Sequence, residues 1–319
     1  MIAVVSLRIA IMRAMTTPFT SEVFAPSGCA ALTDWGVCRA SGADAVGFLH
    51  GQLTHDVALV GSDRARLAAY CNPQGRMLAN MVLWKRGDDV WLAMPRSVVE
   101  ATLKRLRMFV MRAKCTLEDL SETFSVWGVW GEGVAERVDA VWSTLTQDNA
   151  TWVRMPDGDL GSPLPRALVC AAQAPQTVSA STEQWAWLDV SAALPWVSEA
   201  TAGQLVPQMV NLESLDGVSF KKGCYPGQEV VARSQFRGAI KRRGERVHGT
   251  QAMQAGQDVF AGEQAVGVVV NAQPSPQGGW DALVSLHVGE AADKVLHSPT
   301  ADSPELSRWG LPYALRDDL

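Results

Sequence analysis

Apolar residues recur at helical spacing in two stretches of the chain. Ala45, Phe48, Leu49 and Leu53 share one face of a short amphipathic helix. Val99, Leu103, Leu106 and Val110 do the same over residues 96–111, with Lys104, Arg105 and Arg107 mostly outside. Ser41, which opens Ser41-Gly42-Ala43-Asp44, reads as the N-cap of the first helix. Between the two helices the pattern is that of a hairpin. Residues 67–71 form one strand, Asn72-Pro73-Gln74-Gly75 a tight turn with proline at its second position, and residues 77–84 the returning strand. A further strand is predicted over 113–117. Residues 157–181 are rich in proline, glycine and small side chains, which predicts a loop with one strand around Ala167-Leu168-Val169, and a compact element resumes over 185–190. After Arg243, short β-rich runs at 259–260, 265–270 and 282–288 alternate with Gly, Pro and Asn clusters, as a small barrel or sandwich requires. That change of character sets a domain boundary near residue 240.

Composition narrows the class. With 319 residues, 47% of them hydrophobic and 19% charged, the chain is an ordinary globular sequence with room for two or three domains rather than a disordered one. A net charge of -5 argues against binding nucleic acid through bulk electrostatics, which needs many clustered cations. The six cysteines (Cys29, Cys38, Cys71, Cys115, Cys170, Cys224) contain no C-x-x-C pair, and the five histidines no H-x-x-x-H, so no metal site is expected. Free thiols fit a reducing, cytoplasmic setting. Residues 1–20 carry Arg8 and Arg13 in an apolar context without an acid, superficially like a targeting peptide. The arginines break the apolar run, no clear cleavage site follows, and Met12 and Met15 are alternative starts, so the segment reads as a disordered extension. No later stretch approaches the roughly 20 apolar residues of a membrane span.

The candidate chemistry lies in Lys222-Gly223-Cys224-Tyr225-Pro226-Gly227-Gln228-Glu229. Residues 218–220 read as a strand end, 221–225 as a turn, and 226–229 as the first turn of a helix running to about Gln235, with proline at its first position. Cys224 then sits just before a helix N-terminus, where unpaired N–H groups, Lys221, Lys222 and Arg233 favour a thiolate. The other reading is a buried cysteine packed as a small hydrophobe. Eight basic residues (Lys221, Lys222, Arg233, Arg237, Lys241, Arg242, Arg243, Arg246) fall between 221 and 246 against only Glu229 and Glu245. Such a cluster either attracts an anionic ligand or RNA phosphates, or forms a solvated face.

At this point the chain resembles a family, the YgfZ folate-binding proteins, relatives of the aminomethyltransferase T-protein of the glycine cleavage system. The residues that carry the resemblance are Ser41 to Asp44, Gly51-Gln52-Leu53-Thr54-His55-Asp56-Val57, Asn72-Pro73-Gln74-Gly75-Arg76, Pro207-Gln208-Met209-Val210-Asn211-Leu212, and Phe220 to Glu229 with Ala232-Arg233 and Arg237-Gly238. The resemblance implies an α+β fold, with two interleaved domains over 21–240 around a central folate channel and a C-terminal β-barrel over 241–319. It implies tetrahydrofolate or a derivative as cofactor, contacted by Trp35 and Trp185, whose indole faces suit stacking on flat rings. It further implies that Cys224 carries the chemistry, supported by Lys222, Gly223, Tyr225, Gly227, Gln228, Glu229 and Arg233. The function implied is that of an accessory protein for iron–sulfur cluster assembly or repair and, through client enzymes, for tRNA thiolation, with possible tRNA contact through Lys241, Arg242 and Arg243. One departure matters. Where the aminomethyltransferases carry a pair of acids after the glycine turn, this chain has Ala79-Asn80, neither of which can act as a carboxylate base. Ordinary aminomethyl transfer is therefore not expected. A one-carbon transferase using another base, with His55 and Asp56 the nearest candidates, and a direct tRNA binder are the alternative readings.

Overall fold

A computed structural model describes residues 24–237 and 240–316 of the chain. The expected extension over 1–20 lies outside the described residues. In chain order the first half comprises β1 (Gly28–Ala31), β2 (Trp35–Ser41), α1 (Ala45–His50), β3 (Arg66–Cys71), β4 (Met77–Arg86), β5 (Asp89–Pro95), α2 (Arg96–Val110) and β6 (Thr116–Asp119). It continues with β7 (Ser125–Trp130), α3 (Glu132–Arg137), β8 (Thr144–Gln147), β9 (Ala150–Asp159), β10 (Pro163–Ala171), α4 (Thr182–Ser191) and α5 (Gln228–Phe236). The C-terminal strands are β11 (Arg242–Gly249), β12 (Asp258–Ala261), β13 (Gln264–Pro274), β14 (Trp280–His287), β15 (Leu296–His297) and β16 (Glu305–Trp309).

Two five-stranded sheets share the first 171 residues in an interleaved way. Strand β1 joins β7-β10-β9-β8, whereas the chain between β1 and β7 builds the other sheet, ordered β3-β4-β5-β2-β6. The last six strands close a barrel in the order β11-β14-β13-β12-β15-β16. The fold is thus α+β with a C-terminal β-barrel, as the β-rich runs after Arg243 required.

Burial on both faces explains the composition of the β3–β4 hairpin. In β3, Leu67, Ala69 and Cys71 face the central core while Ala68 and Tyr70 face the helices; in β4, Val82 and Trp84 face the core while Met81 and Leu83 face the helices. Alternation of side chains along a strand puts near-continuous apolar sequence onto two buried surfaces. Helices α1 and α2 cover the outer face, α2 through Val99, Leu103 and Leu106.

Several local expectations are corrected. Ser41 is the last residue of β2, and the cap of α1 is Asp44, whose carboxylate accepts the Lys114 backbone N–H at 2.7 Å. The strand predicted at 113–117 runs over Thr116–Asp119. The proline-rich stretch after residue 157 holds the end of β9 and all of β10, because Pro163 opens β10 and Pro165 falls where the register shifts between Leu164 and Arg166, so neither ring interrupts a regular ladder. The element at 185–190 is a helix, α4, started by a capping box between Ser181 and Gln184. Residues 218–220 form no strand.

The two sheets and the barrel meet at one short segment after α4. Asn80 of β4 donates to Pro195 O and accepts from Val197 N, both at 2.8 Å, and Asn271 of β13 accepts from Trp196 N at 2.9 Å. Asn80 is fully buried. Replacing Asn80 with Ala leaves two buried backbone groups unpaired, at about 1–3 kcal/mol each, and the urea midpoint of Asn80→Ala is expected to fall accordingly; a midpoint equal to wild type would remove the clamp from this account.

Candidate functional site

Four stretches far apart in sequence, which carry motif residues, are brought to one place. Segment 51–57 is tied to the strap before Cys224: Thr54 Oγ1 donates to Gly217 O at 2.7 Å and its carbonyl accepts from Ser219 N at 3.0 Å. The turn 72–75 meets the start of α5. Gly75 (φ +72°) and Gly227 (φ +82°) both adopt the left-handed conformation, and a Cβ on Gly227 would lie 2.4 Å from Asn72 O. Only glycine permits that approach. Asn72 shapes its own turn by accepting from Gln74 N and Arg76 N at 3.0 Å. From the fourth stretch, Gln208 donates to Val231 O in α5 at 2.8 Å, and Asn211 binds Gly244 of the barrel through both ends of its amide.

Lys222 is the buried peg of this assembly. Its ammonium donates to His50 O and, at 2.7 Å, to Leu53 O, capping the C-terminal end of α1, and lies 4.7 Å from the ring centroid of Tyr225. Among the described residues no carboxylate bonds it directly. Burial lowers its pKa to about 8, with Asp56 and then Cys224 pulling the other way. Burial likewise pushes the Tyr225 phenol up. With Lys222 and Tyr225 buried, Gly223 and Cys224 are left exposed between them.

Cys224 is exposed, so it is not packed as a small hydrophobe. Its other surroundings differ from expectation. Helix α5 begins at Gln228 with Gly227 as its cap, so Pro226 precedes the cap instead of occupying the first helical position, and Cys224 lies three residues before it. Among the described residues its thiol makes no hydrogen bond. By contrast, burial raises the pKa of Cys38, Cys71 and Cys170 to about 12, which makes them inert. Gln228, Glu229 and Arg233 occupy the exposed or half-buried side of α5. The basic cluster splits: Arg243 is paired with the buried carboxylate of Glu213, Arg246 is buried against Asp159 at 2.9 Å, and Lys241 stays exposed.

A second constellation lies in the central core. Trp35 stacks edge-on against Trp196 at 4.7 Å and borders a cleft of about 300 Å³ with Arg96, Ser121 and Phe124. Trp185 is fully buried between the backbone of Gly128 and the guanidinium of Arg166, 4.8 Å from its ring, so neither indole face is open in this structure. The neighbouring acid Asp189, which sequence reading passed over, pairs with Arg166 at 2.6 Å in complete burial. Burial raises its carboxyl to about 6 against the pull of Arg166. The legible signal was an acid inside the apolar run Trp185-Ala186-Trp187-Leu188-Asp189-Val190. Arg166 Nη2 and the indole nitrogens of Trp185 and Trp196 are buried without a well-formed hydrogen bond. A larger cavity of about 470 Å³ between the β9–β10 turn and Tyr313 involves none of the residues singled out from sequence.

No family model matches the chain. It is 32% identical over 308 residues to the tRNA-modifying protein YgfZ of Serratia proteamaculans, which covers 90% of this chain and 92% of that protein. It is 30% identical over 326 residues to the tRNA-modifying protein YgfZ of Yersinia pseudotuberculosis, covering 95% and 98%. The chain belongs to the YgfZ family. Among solved structures, the glycine cleavage system aminomethyltransferase T from Bartonella henselae superposes with a TM-score of 0.67 over 92% of this chain and 87% of that one, at 15% identity, which establishes a shared fold. In this YgfZ-family chain, Ala79 and Asn80 are both buried, and the Asn80 amide is fully engaged with the backbone on either side of Trp196. His55, the alternative base, is buried with its Nε2 3.8 Å from Asp216. Among the described residues no group of three or more His, Cys, Asp or Glu side chains comes together as a metal site, and no helix is long and apolar enough to cross a membrane.

Two outcomes follow from this geometry. Gly227→Ala is expected to lose about 1–3 kcal/mol from its backbone conformation alone, with the clash against Asn72 added, read as a lowered thermal midpoint; a wild-type midpoint would mean the two turns do not interlock. For Lys222, the unfolded chain keeps its proton up to the ordinary value of 10.5 while the folded one releases it near 8. Between those values the unfolded state binds more protons, so this group makes stability rise with pH there. Urea midpoints from pH 7.5 to 9.5 are expected to show that rise in wild type and a flatter slope in Lys222→Met.

Proposed function

We propose that this chain binds a reduced folate and supports tRNA modification, acting in the cytoplasm through the assembly or repair of iron–sulfur enzymes, with Cys224 as its reactive group. The observation that carries this reading is the convergence of separate motif stretches on one exposed thiol, held beside a buried lysine. The relatives' name, tRNA-modifying protein, supports the process, and the shared aminomethyltransferase fold supports the ligand.

The core residues fit a folate. A pterin is flat and carries donors and acceptors along one edge, and the core offers a buried carboxylate at Asp189, beside the Trp196 indole, with donors on Arg166 and Trp185 that lack a well-formed hydrogen bond. Trp35 supplies an aromatic edge at the cleft, while Trp185 serves by orienting Arg166 rather than by stacking. When bound, tetrahydrofolate supplies a carrier for one-carbon units. The chain's own residues orient and desolvate it. With Asn80 committed to the backbone, no carboxylate stands at that position to take a proton. Direct tRNA contact draws on Lys241 and Arg242 more than on Arg243, whose charge is answered by Glu213.

Two measurements test the two halves of the reading. Calorimetric titration of tetrahydrofolate is expected to show binding to wild type that weakens tenfold or more in Trp35→Ala and Asp189→Asn; affinity unchanged by both would place the ligand elsewhere. A deletion strain complemented with Cys224→Ala is expected to keep low iron–sulfur enzyme activity and low tRNA thiolation. Full rescue would remove the thiol from the function.

A further inference from the structure

Gly223 has no side chain, and the space its Cβ would occupy faces a single neighbouring atom within 4 Å, Nε2 of His50 at 3.8 Å. His50 ends α1, and its carbonyl is one of the two held by Lys222, so the imidazole and the Cys224 loop are anchored to each other through the same peg. The other ring nitrogen, Nδ1, is buried and lies 3.0 Å from Asp56 Oδ1, without the alignment of a hydrogen bond. Asp56 is itself fixed, because the same oxygen accepts the Ala58 backbone N–H at 2.9 Å and caps the short 3-10 turn Val57–Leu59.

These positions define a tautomer. A bare lone pair on Nδ1 against a carboxylate is repulsive, so the ring proton belongs on Nδ1 and Nε2 carries the lone pair, 3.8 Å from where a Cβ on Gly223 would lie and next in the chain to the thiol residue. We propose that His50, oriented and polarised by Asp56, is the proton acceptor for Cys224. The step is a proton transfer: the Cys224 S–H bond breaks, the proton bonds to His50 Nε2, and the electron pair stays on sulfur, leaving a thiolate beside an imidazolium that Asp56 stabilises. This is the nucleophile, base and orienting acid arrangement by which thiols are activated. The inference rests on the thiol role proposed above and gives that thiol its base.

The charged groups around the pair are few. Asp56 faces His50, the Lys222 ammonium lies close enough to both Asp56 and Cys224 to interact with each, and Lys221, Glu229 and Arg233 are exposed on the loop and on α5. Lys222 titrates near 8 and must be separated from His50 in any pH profile.

The test is the pH dependence of Cys224 alkylation by iodoacetamide, in a background where Cys115, half-exposed, is replaced by Ser. Cys224→Ser gives the blank. His50→Gln is expected to raise the wild-type midpoint by about one pH unit and to slow alkylation at pH 7 by roughly tenfold, the corresponding loss of thiolate, with Asp56→Asn shifting in the same direction by less. Lys222 is kept in every variant, because it anchors His50 to the loop, so its own titration is common to all the profiles compared. Superimposable profiles for wild type, His50→Gln and Asp56→Asn would overturn the proposal. Because alkylation reads only the ionisation of the thiol, that result would leave the complementation outcome for Cys224 untouched, and rescue by Cys224→Ala would leave the profile shift standing.

Discussion

Two asparagines hold this molecule together at its centre. Asn80, from β4 of one sheet, and Asn271, from the barrel, grip the peptide groups around Trp196, five residues beyond the end of the helix that packs against the other sheet. A backbone segment buried among three layers has N–H and C=O groups that no helix or sheet satisfies, and each left unpaired is costly. A carboxamide solves this because it donates and accepts at once. The core tryptophans Trp35, Trp185 and Trp196, and the Asp189–Arg166 pair, are arranged around that clamp.

The same residue explains how the fold of an aminomethyltransferase is shared without its acid pair. A carboxylate at position 80 would accept from Val197 N but offer nothing to Pro195 O. With asparagine there, the position is structural, and the exposed Cys224 lies elsewhere, in the strap before α5. The two sites are linked through β4: Asn80 lies in its first half, and the turn that leads into it, Asn72 to Gly75, locks against Gly227.

The thiol site is an instance of strict backbone constraint serving an exposed side chain. Two left-handed glycines in contact, a buried lysine bound to two carbonyls and a threonine bound to two strap residues remove freedom from the loop, so that Cys224 is presented from a rigid frame. Rigid support is what positions a reactive group without help from the substrate.

Much of this was written in the sequence. Helical spacing at Val99, Leu103 and Leu106, alternation through the hairpin and the β-rich tail are local patterns, and local sterics and burial period decide them. The motif and the resemblance singled out Cys224, Lys222 and Trp35, which the fold respectively exposes, buries against two carbonyls and sets edge-on against Trp196. Other features depended on the tertiary structure. Pro163 and Pro165 masked a long strand because a bulge absorbs what a regular ladder would not. Arg243 lost its apparent freedom to Glu213, thirty residues earlier, and Trp185 lost its open face to Gly128 and Arg166. Asp189 is distinguished by the Arg166 that the fold sets beside it, and His50 by the Gly223 backbone that its Nε2 approaches. The sequence alone determines which side chains are available and which segments are helix, turn or strand. The folded chain decides which of them meet, because burial, unpaired donors and the reach of a missing Cβ are properties of contacts between distant residues.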